Sequence, residues 1–185
     1  MENKSIQATT VVAIRHNGEV VIGSDGQATL GDRVVKSTVK KTRKLANGTV
    51  LTGFAGSPVD AFALLERFEK KLHQFPNNVH RAALELAKEW RTDRYLRRLE
   101  ATIIVCNQET MLSMSGNGDV MKPDHDILAI GSGSPYAHAA AVTLKEYAGH
   151  LTAEEMVRQS LKTAADMCIY TNHHITIAKL AAHTK

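Results

Sequence analysis

Hydrophobic positions along this chain first alternate, then recur at helical spacing, and then alternate again. TVVAIR (10–15) and EVVIGS (19–24) are β-branched-rich runs separated by Asn17-Gly18, a pair that predicts a tight hairpin because both turn positions need positive φ. RVVKSTVK (33–40) and GTVLTGFAG (48–56) predict two more strands, divided by a turn at Asn47-Gly48, so the sheet is expected to begin antiparallel. The period then changes. Ser57-Pro58 reads as an N-cap followed by proline at the first helical position, and Val59, Phe62, Leu65, Phe68 and Leu72 follow at helical spacing. PNN (76–78) breaks this helix, and a second begins near Val79 with Ala83, Leu86, Trp90 and Leu96 along one stripe.

Strands are expected again at ATIIVC (101–106), TMLSMS (110–115) and ILAIGSGS (127–134), the last ending in a Gly/Ser turn. An alanine-rich helix, PYAHAAAVTLKEYA, follows, and Thr152 with Glu155 forms a capping box for another helix reaching about Tyr170. A short strand, ITIAKL (175–180), closes the pattern. Hairpin-linked strands with helices in consecutive pairs predict two antiparallel sheets, each with a helical layer outside. That is a four-layer αββα sandwich of the α+β class rather than a βαβ array.

Length and composition fit that picture. The 185 residues are 43% hydrophobic and 23% charged, ordinary for one soluble domain. The net charge of +4 comes with only 5% aromatics, which argues against a nucleic-acid surface. Basic residues concentrate in KSTVKKTRK (36–44) and RTDRYLRRLE (91–100), the second carrying Arg91, Arg94, Arg97 and Arg98. Cys106 and Cys168 lie in apolar segments without CxxC spacing and read as buried thiols of a reducing compartment. No run reaches the roughly 18 apolar residues of a membrane span, and the leader lacks a signal-peptide core. A cytoplasmic location is expected.

There is no GxSxG elbow, no HExxH and no complete GxxxxGK[ST] phosphate loop. GSGSPY (131–136) follows a strand and opens a helix but lacks the lysine of a nucleotide site, so a structural turn is the favoured reading. Thr9-Thr10 is the stretch with chemical potential. A threonine hydroxyl attacks poorly unless a base takes its proton. Cleavage between Ala8 and Thr9 would place an α-amine, with a pKa of roughly 7.7–8.0, on the nucleophile's own residue. Thr9 can also simply start a strand. Asp25 ends the second strand and can return to the start of the first by hairpin pairing. Lys41, at the end of the third strand, can pair with Asp25, lower the hydroxyl pKa and keep the amine neutral. Gly53 offers a backbone N–H without a side chain in the way, as an oxyanion hole requires.

The ordered set ATTVVAIRHNGEVVIGSDGQATLGD, VKKTRKL, GFAGSPVDAF, ELAKEWRTDRYLRRLEA, GNGDV, LAIGSGSPYA and CIYTNHHITI resembles the HslV (ClpQ) family over nearly the whole chain. That family lies in the proteasome β-type branch of the N-terminal-nucleophile hydrolases. The resemblance implies a leader of residues 1–8 that is removed and a single protease domain over 9–185. It implies a threonine endopeptidase with Thr9 as nucleophile, Asp25 and Lys41 as the charged pair, Gly53 as the oxyanion glycine and Ser132 as a supporting serine. It further implies a cation, typically sodium, on the backbone carbonyls of Ala165, Cys168 and Thr171; Ala165 replaces the family's usual glycine, which a main-chain ligand tolerates. The implied assembly is a homo-oligomer of two stacked hexameric rings, partnered by HslU, a hexameric AAA+ ATPase that delivers unfolded protein substrates. This chain has no ATP motif, so ATP dependence would come from the partner. The Arg91–Arg98 cluster would serve ring contacts or chamber lining, or be a solvated helix face. Two rival readings are an unprocessed scaffold subunit of the same fold and a basic nucleic-acid-binding module.

Overall fold

A computed structural model describes residues 6–7 and 9–180; residues 1–5 and 8 of the expected leader lie outside that range. Two antiparallel sheets stack face to face. The first is formed by β2 (Thr10–His16), β3 (Glu19–Ser24), β11 (Ile127–Gly131) and β12 (Thr176–Lys179), in the order β11-β2-β3-β12. The second contains β6 (Thr42–Leu45), β7 (Val50–Gly56), β8 (Ala101–Cys106), β9 (Met111–Ser115) and β10 (Val120–Met121), in the order β10-β9-β8-β7-β6. A small third sheet joins β1 (Ile6–Gln7), β4 (Ala28–Leu30) and β5 (Arg33–Lys36).

Period-2 alternation sorts each strand's side chains between two cores. Val11, Ala13, Val20 and Ile22 meet Leu51, Ala55, Ile104 and Cys106 between the sheets. Val12, Ile14 and Val21 point the other way, onto α3 (Ser134–Tyr147) and α4 (Ala153–Met167). On the far side, Phe54, Ile103, Val105 and Leu112 pack under α1 (Pro58–Gln74) and α2 (Val79–Thr92), with Phe68 and Trp90 filling the layer. The αββα sandwich expected from the sequence is therefore the fold.

The local signals mostly hold. Asn17 and Gly18 take φ of 48° and 80°, Ser57 caps α1, and the Thr152–Glu155 capping box is complete. Three expectations need correction. The strand expected over 33–40 stops at Lys36; residues 37–41 cross to the second sheet, where β6 begins at Thr42. Lys41 thus precedes a strand instead of ending one. Val59 points to solvent, and the buried stripe of α1 is Ala61, Leu64, Leu65, Phe68 and Leu72, because the inward face is set by Phe68 and Leu72, which lie about half a turn around the helix from Val59. Finally, α4 ends at Met167 with Cys168 as its C-cap, short of Tyr170.

Candidate active site

The β2–β3 hairpin sets the first distance. Its register pairs Val11 with Ser24, so the next residue outward on each arm, Thr10 and Asp25, must meet. They do so twice: Asp25 N–H donates to the Thr10 carbonyl at 3.1 Å, and Thr10 N–H donates to Asp25 Oδ1 at 2.8 Å. Lys41 arrives from the 37–41 crossover and donates from Nζ to the same Oδ1 at 2.7 Å. The other oxygen, Oδ2, accepts from Gln27 N at 2.8 Å and, more weakly, from Asn172 N at 3.4 Å. Asp25 is fully buried and Lys41 nearly so.

A buried pair survives only when its remaining polar valences are filled, and here backbone N–H groups fill them. Burial pulls the Lys41 pKa below the ordinary lysine value, and the neighbouring Asp25 carboxylate only partly offsets this. The ammonium is therefore readier to release a proton than a surface lysine.

Thr10 explains the paired threonines. Its side chain lies on the helix side of the sheet, like that of Val12. There the hydroxyl accepts from Gly133 N at 3.0 Å and shares a 2.7 Å hydrogen bond with Thr171 Oγ1. Alternation run back one residue from Thr10 puts Thr9 on the opposite, inter-sheet face, the face of Val11, where Lys41 approaches. Thr9 is itself buried. Thr10 anchors the start of β2 on the helix side, and Thr9 is presented between the sheets.

Ser132 is exposed, between two glycines that pack against Thr9 and Thr10. Gly131 has φ of +92°, and a Cβ there would lie 2.0 Å from the Thr9 carbonyl oxygen. Only glycine lets β11 come this close. Gly53 is a correction. Phe54 N–H donates to the Lys41 carbonyl, so Phe54 faces β6 and Gly53, by alternation, turns its N–H toward Ile104 of β8, its register partner. The lack of a side chain at Gly53 serves packing instead: a Cβ there would come within 2.6 Å of Val11 and 2.8 Å of Ile22. The next N–H on the Lys41 side of β7 is that of Gly56, beyond the end of the β6 pairing. Gly56 also has a positive φ of +105°, a conformation that nothing in the run GFAG singles out.

The residues whose carbonyls are expected to hold a cation run from the last turn of α4 into the turn that follows it. Ala165 is in its last turn, Cys168 is the C-cap, and Thr171 N–H donates to the Cys168 carbonyl at 3.0 Å. Last-turn carbonyls lack intrahelical partners and carry the negative end of the helix dipole. An all-oxygen set of this kind fits a hard cation. Both cysteines are buried as expected, and burial pushes the Cys106 thiol up to about 12. Arg91, Arg94, Arg97 and Arg98 are exposed in the isolated chain.

The family model described as "Proteasome subunit" matches residues 6–180. The chain is 64% identical over 179 residues to the "ATP-dependent protease subunit HslV" of Cytophaga hutchinsonii, covering 97% of this chain and 99% of that protein. It is 52% identical over 181 residues to the protein of the same name from Staphylococcus aureus, covering 97% and 100%. Among solved structures, eukaryotic HslV from Trypanosoma brucei superposes with a TM-score of 0.88 at 46% identity, covering 92% of this chain and 98% of that one. The Thiobacillus denitrificans protein BPH shares the fold at a TM-score of 0.74 and 19% identity, covering 95% and 100%.

Proposed function

The chain belongs to the proteasome subunit family, and we propose that it is the proteolytic subunit of an ATP-dependent protease of the HslV type, with Thr9 as its N-terminal nucleophile. One observation carries the residue assignment: a single buried oxygen, Asp25 Oδ1, holds both the Lys41 ammonium and the backbone N–H that follows Thr9.

Once the Ala8–Thr9 bond is cut, the freed α-amine takes the proton of Thr9 Oγ1 as that oxygen attacks the substrate carbonyl. The Lys41 charge favours the neutral amine and the developing alkoxide. The tetrahedral oxyanion is met by a backbone N–H, and the strand register favours Gly56 over Gly53 for it. The α-ammonium of Thr9 formed in that step then protonates the departing amine, which restores the neutral amine. The acyl ester left on Thr9 is hydrolysed by water, which the same amine activates. Ser132 borders this space and would orient the Thr9 amine or the attacking water.

Residues 1–8 would have to leave for the amine to form. Ile6–Gln7 pairs antiparallel with β4, Gln7 opposite Thr29, which supports an approach of the leader to the site along that edge. A sodium-like cation on the Ala165, Cys168 and Thr171 carbonyls would hold the α4 C-terminal loop in shape. The family supports a ring-forming subunit that works with an ATPase. We assign two stacked hexameric rings, an HslU-type AAA+ partner, unfolded polypeptide as substrate and a cytoplasmic setting. Among the described residues no helix is long and apolar enough to cross a membrane.

The test is Thr9→Ala in the assembled particle with its ATPase. Peptide and unfolded-protein cleavage should vanish while assembly persists, and intact mass of the wild type should place the mature N-terminus at Thr9. Cleavage at the wild-type rate by Thr9→Ala would end this assignment.

A further inference from the structure

We infer that Asn172 is a positioning residue for the Lys41–Asp25 pair; the inference rests on the threonine-protease reading above. Three segments without strand structure converge at this side chain: the 25–27 turn, the 37–41 crossover and the loop after α4. Asn172 Oδ1 accepts from Gly26 N at 3.0 Å and from His174 N at 3.1 Å. Its Nδ2 donates to the Ser37 carbonyl at 3.0 Å. Its own backbone N–H joins that of Gln27 at Asp25 Oδ2, at 3.4 Å. One amide therefore joins the residue after the catalytic carboxylate to the start of the segment that delivers the lysine.

The junction leaves little slack. A Cβ on Gly26 would lie 2.4 Å from the Ser37 carbonyl oxygen, so turn and crossover are in direct backbone contact, and Val39 N–H closes on the Gly26 carbonyl at 2.9 Å. The crossover is otherwise exposed from Lys36 to Ser37 and Thr38 and has no ladder to fix it. At its far end, the Lys41 carbonyl is held by Phe54 N–H. Anchors at Ser37, Val39 and Lys41 together fix where the Lys41 side chain leaves the backbone. Asn172 supplies the first of them and is the one made by a side chain from another part of the chain. A second tie reinforces the same loop, since Gln27 Nε2 donates to the Ile169 carbonyl at 2.8 Å.

Asparagine suits this position because it accepts on one side and donates on the other. Asn172→Ala removes both functions. Asn172→Asp keeps the acceptor for Gly26 and His174 but sets a carboxylate oxygen against the Ser37 carbonyl.

The experiment uses the assembled particle with its ATPase, and measures kcat and KM on a fluorogenic peptide together with assembly mass. Asn172→Ala should lower kcat by about tenfold or more with KM nearly unchanged, as expected when a catalytic group is displaced while substrate binding stays intact. Asn172→Asp should fall similarly, which ties the effect to the Ser37 bond. Wild-type kcat in Asn172→Ala, or a change confined to KM, overturns the inference. If the alanine variant fails to assemble, Asn172→Asp decides; failure of both to assemble also overturns it, because the residue's role would then be the fold. Thr9→Ala run in parallel separates the two claims. An inactive Thr9→Ala beside a fully active Asn172→Ala sinks this inference alone, whereas an active Thr9→Ala sinks the reading beneath it.

Discussion

Replacing Lys41 by methionine removes one charge from a pair that has almost no access to solvent. The methionine keeps most of the lysine stem's volume, so packing loss is small and the charge is the perturbation. Breaking one partner of a buried ion pair costs about 3–5 kcal/mol, because the remaining charge is left uncompensated. Asp25 keeps the N–H groups of Thr10, Gln27 and Asn172, which solvate its carboxylate, so the lower end, about 3 kcal/mol, is expected. For a chain of this size each kcal/mol moves Tm by about 2–4 °C, giving a fall of about 6–12 °C. Turnover should fall by about 10²-fold or more, the usual scale for losing a charge aimed at the transition state. Thermal unfolding at fixed protein concentration and steady-state peptide cleavage read the two effects separately. Lys44→Met is the control, since that lysine is exposed and its ammonium donates to the Lys179 carbonyl at the surface; it should change stability by less than about 0.5 kcal/mol. An unshifted Tm in Lys41→Met would refute the buried-pair energetics, and undiminished turnover would remove Lys41 from the chemistry.

Two further outcomes follow from the same geometry. The kcat profile should be bell-shaped. Its acid limb reports the Thr9 amine, which must be neutral to act as base, and the nearby ammonium should hold it at or below the roughly 7.7–8.0 of a free α-amine. Its alkaline limb reports loss of the Lys41 proton and should fall below the 10.5 of an ordinary lysine, since burial lowers that pKa; an alkaline limb above that value would contradict the assignment. Gly131→Ala should abolish cleavage, because its Cβ would overlap the Thr9 carbonyl oxygen and its φ of +92° disfavours any side chain. Wild-type activity in that variant would show that the Thr9 backbone is not packed against β11 as described.

Local signals in the sequence reached far. Asn17-Gly18 fixed a hairpin, and with it the meeting of Thr10 and Asp25, because antiparallel register is counted outward from the turn. The switch from period 2 to helical spacing gave the four layers, since each face must be buried against something. Thr9, Asp25 and Lys41 could be picked out as the candidate set, and family resemblance gave them roles. What the chain alone could not supply was direction. Whether a strand residue turns its N–H left or right depends on which neighbour pairs with it, and only the Lys41–Phe54 bond and the β7–β8 register show that the Gly53 N–H turns toward β8, away from Lys41. The break at residue 37 was equally hidden. RVVKSTVK has continuous strand propensity, and it stops because Ser37 and Val39 are held by Asn172 and Gly26, residues distant in sequence. Hydrogen bonds between remote segments leave no periodic trace in a sequence, and here those bonds aim the lysine.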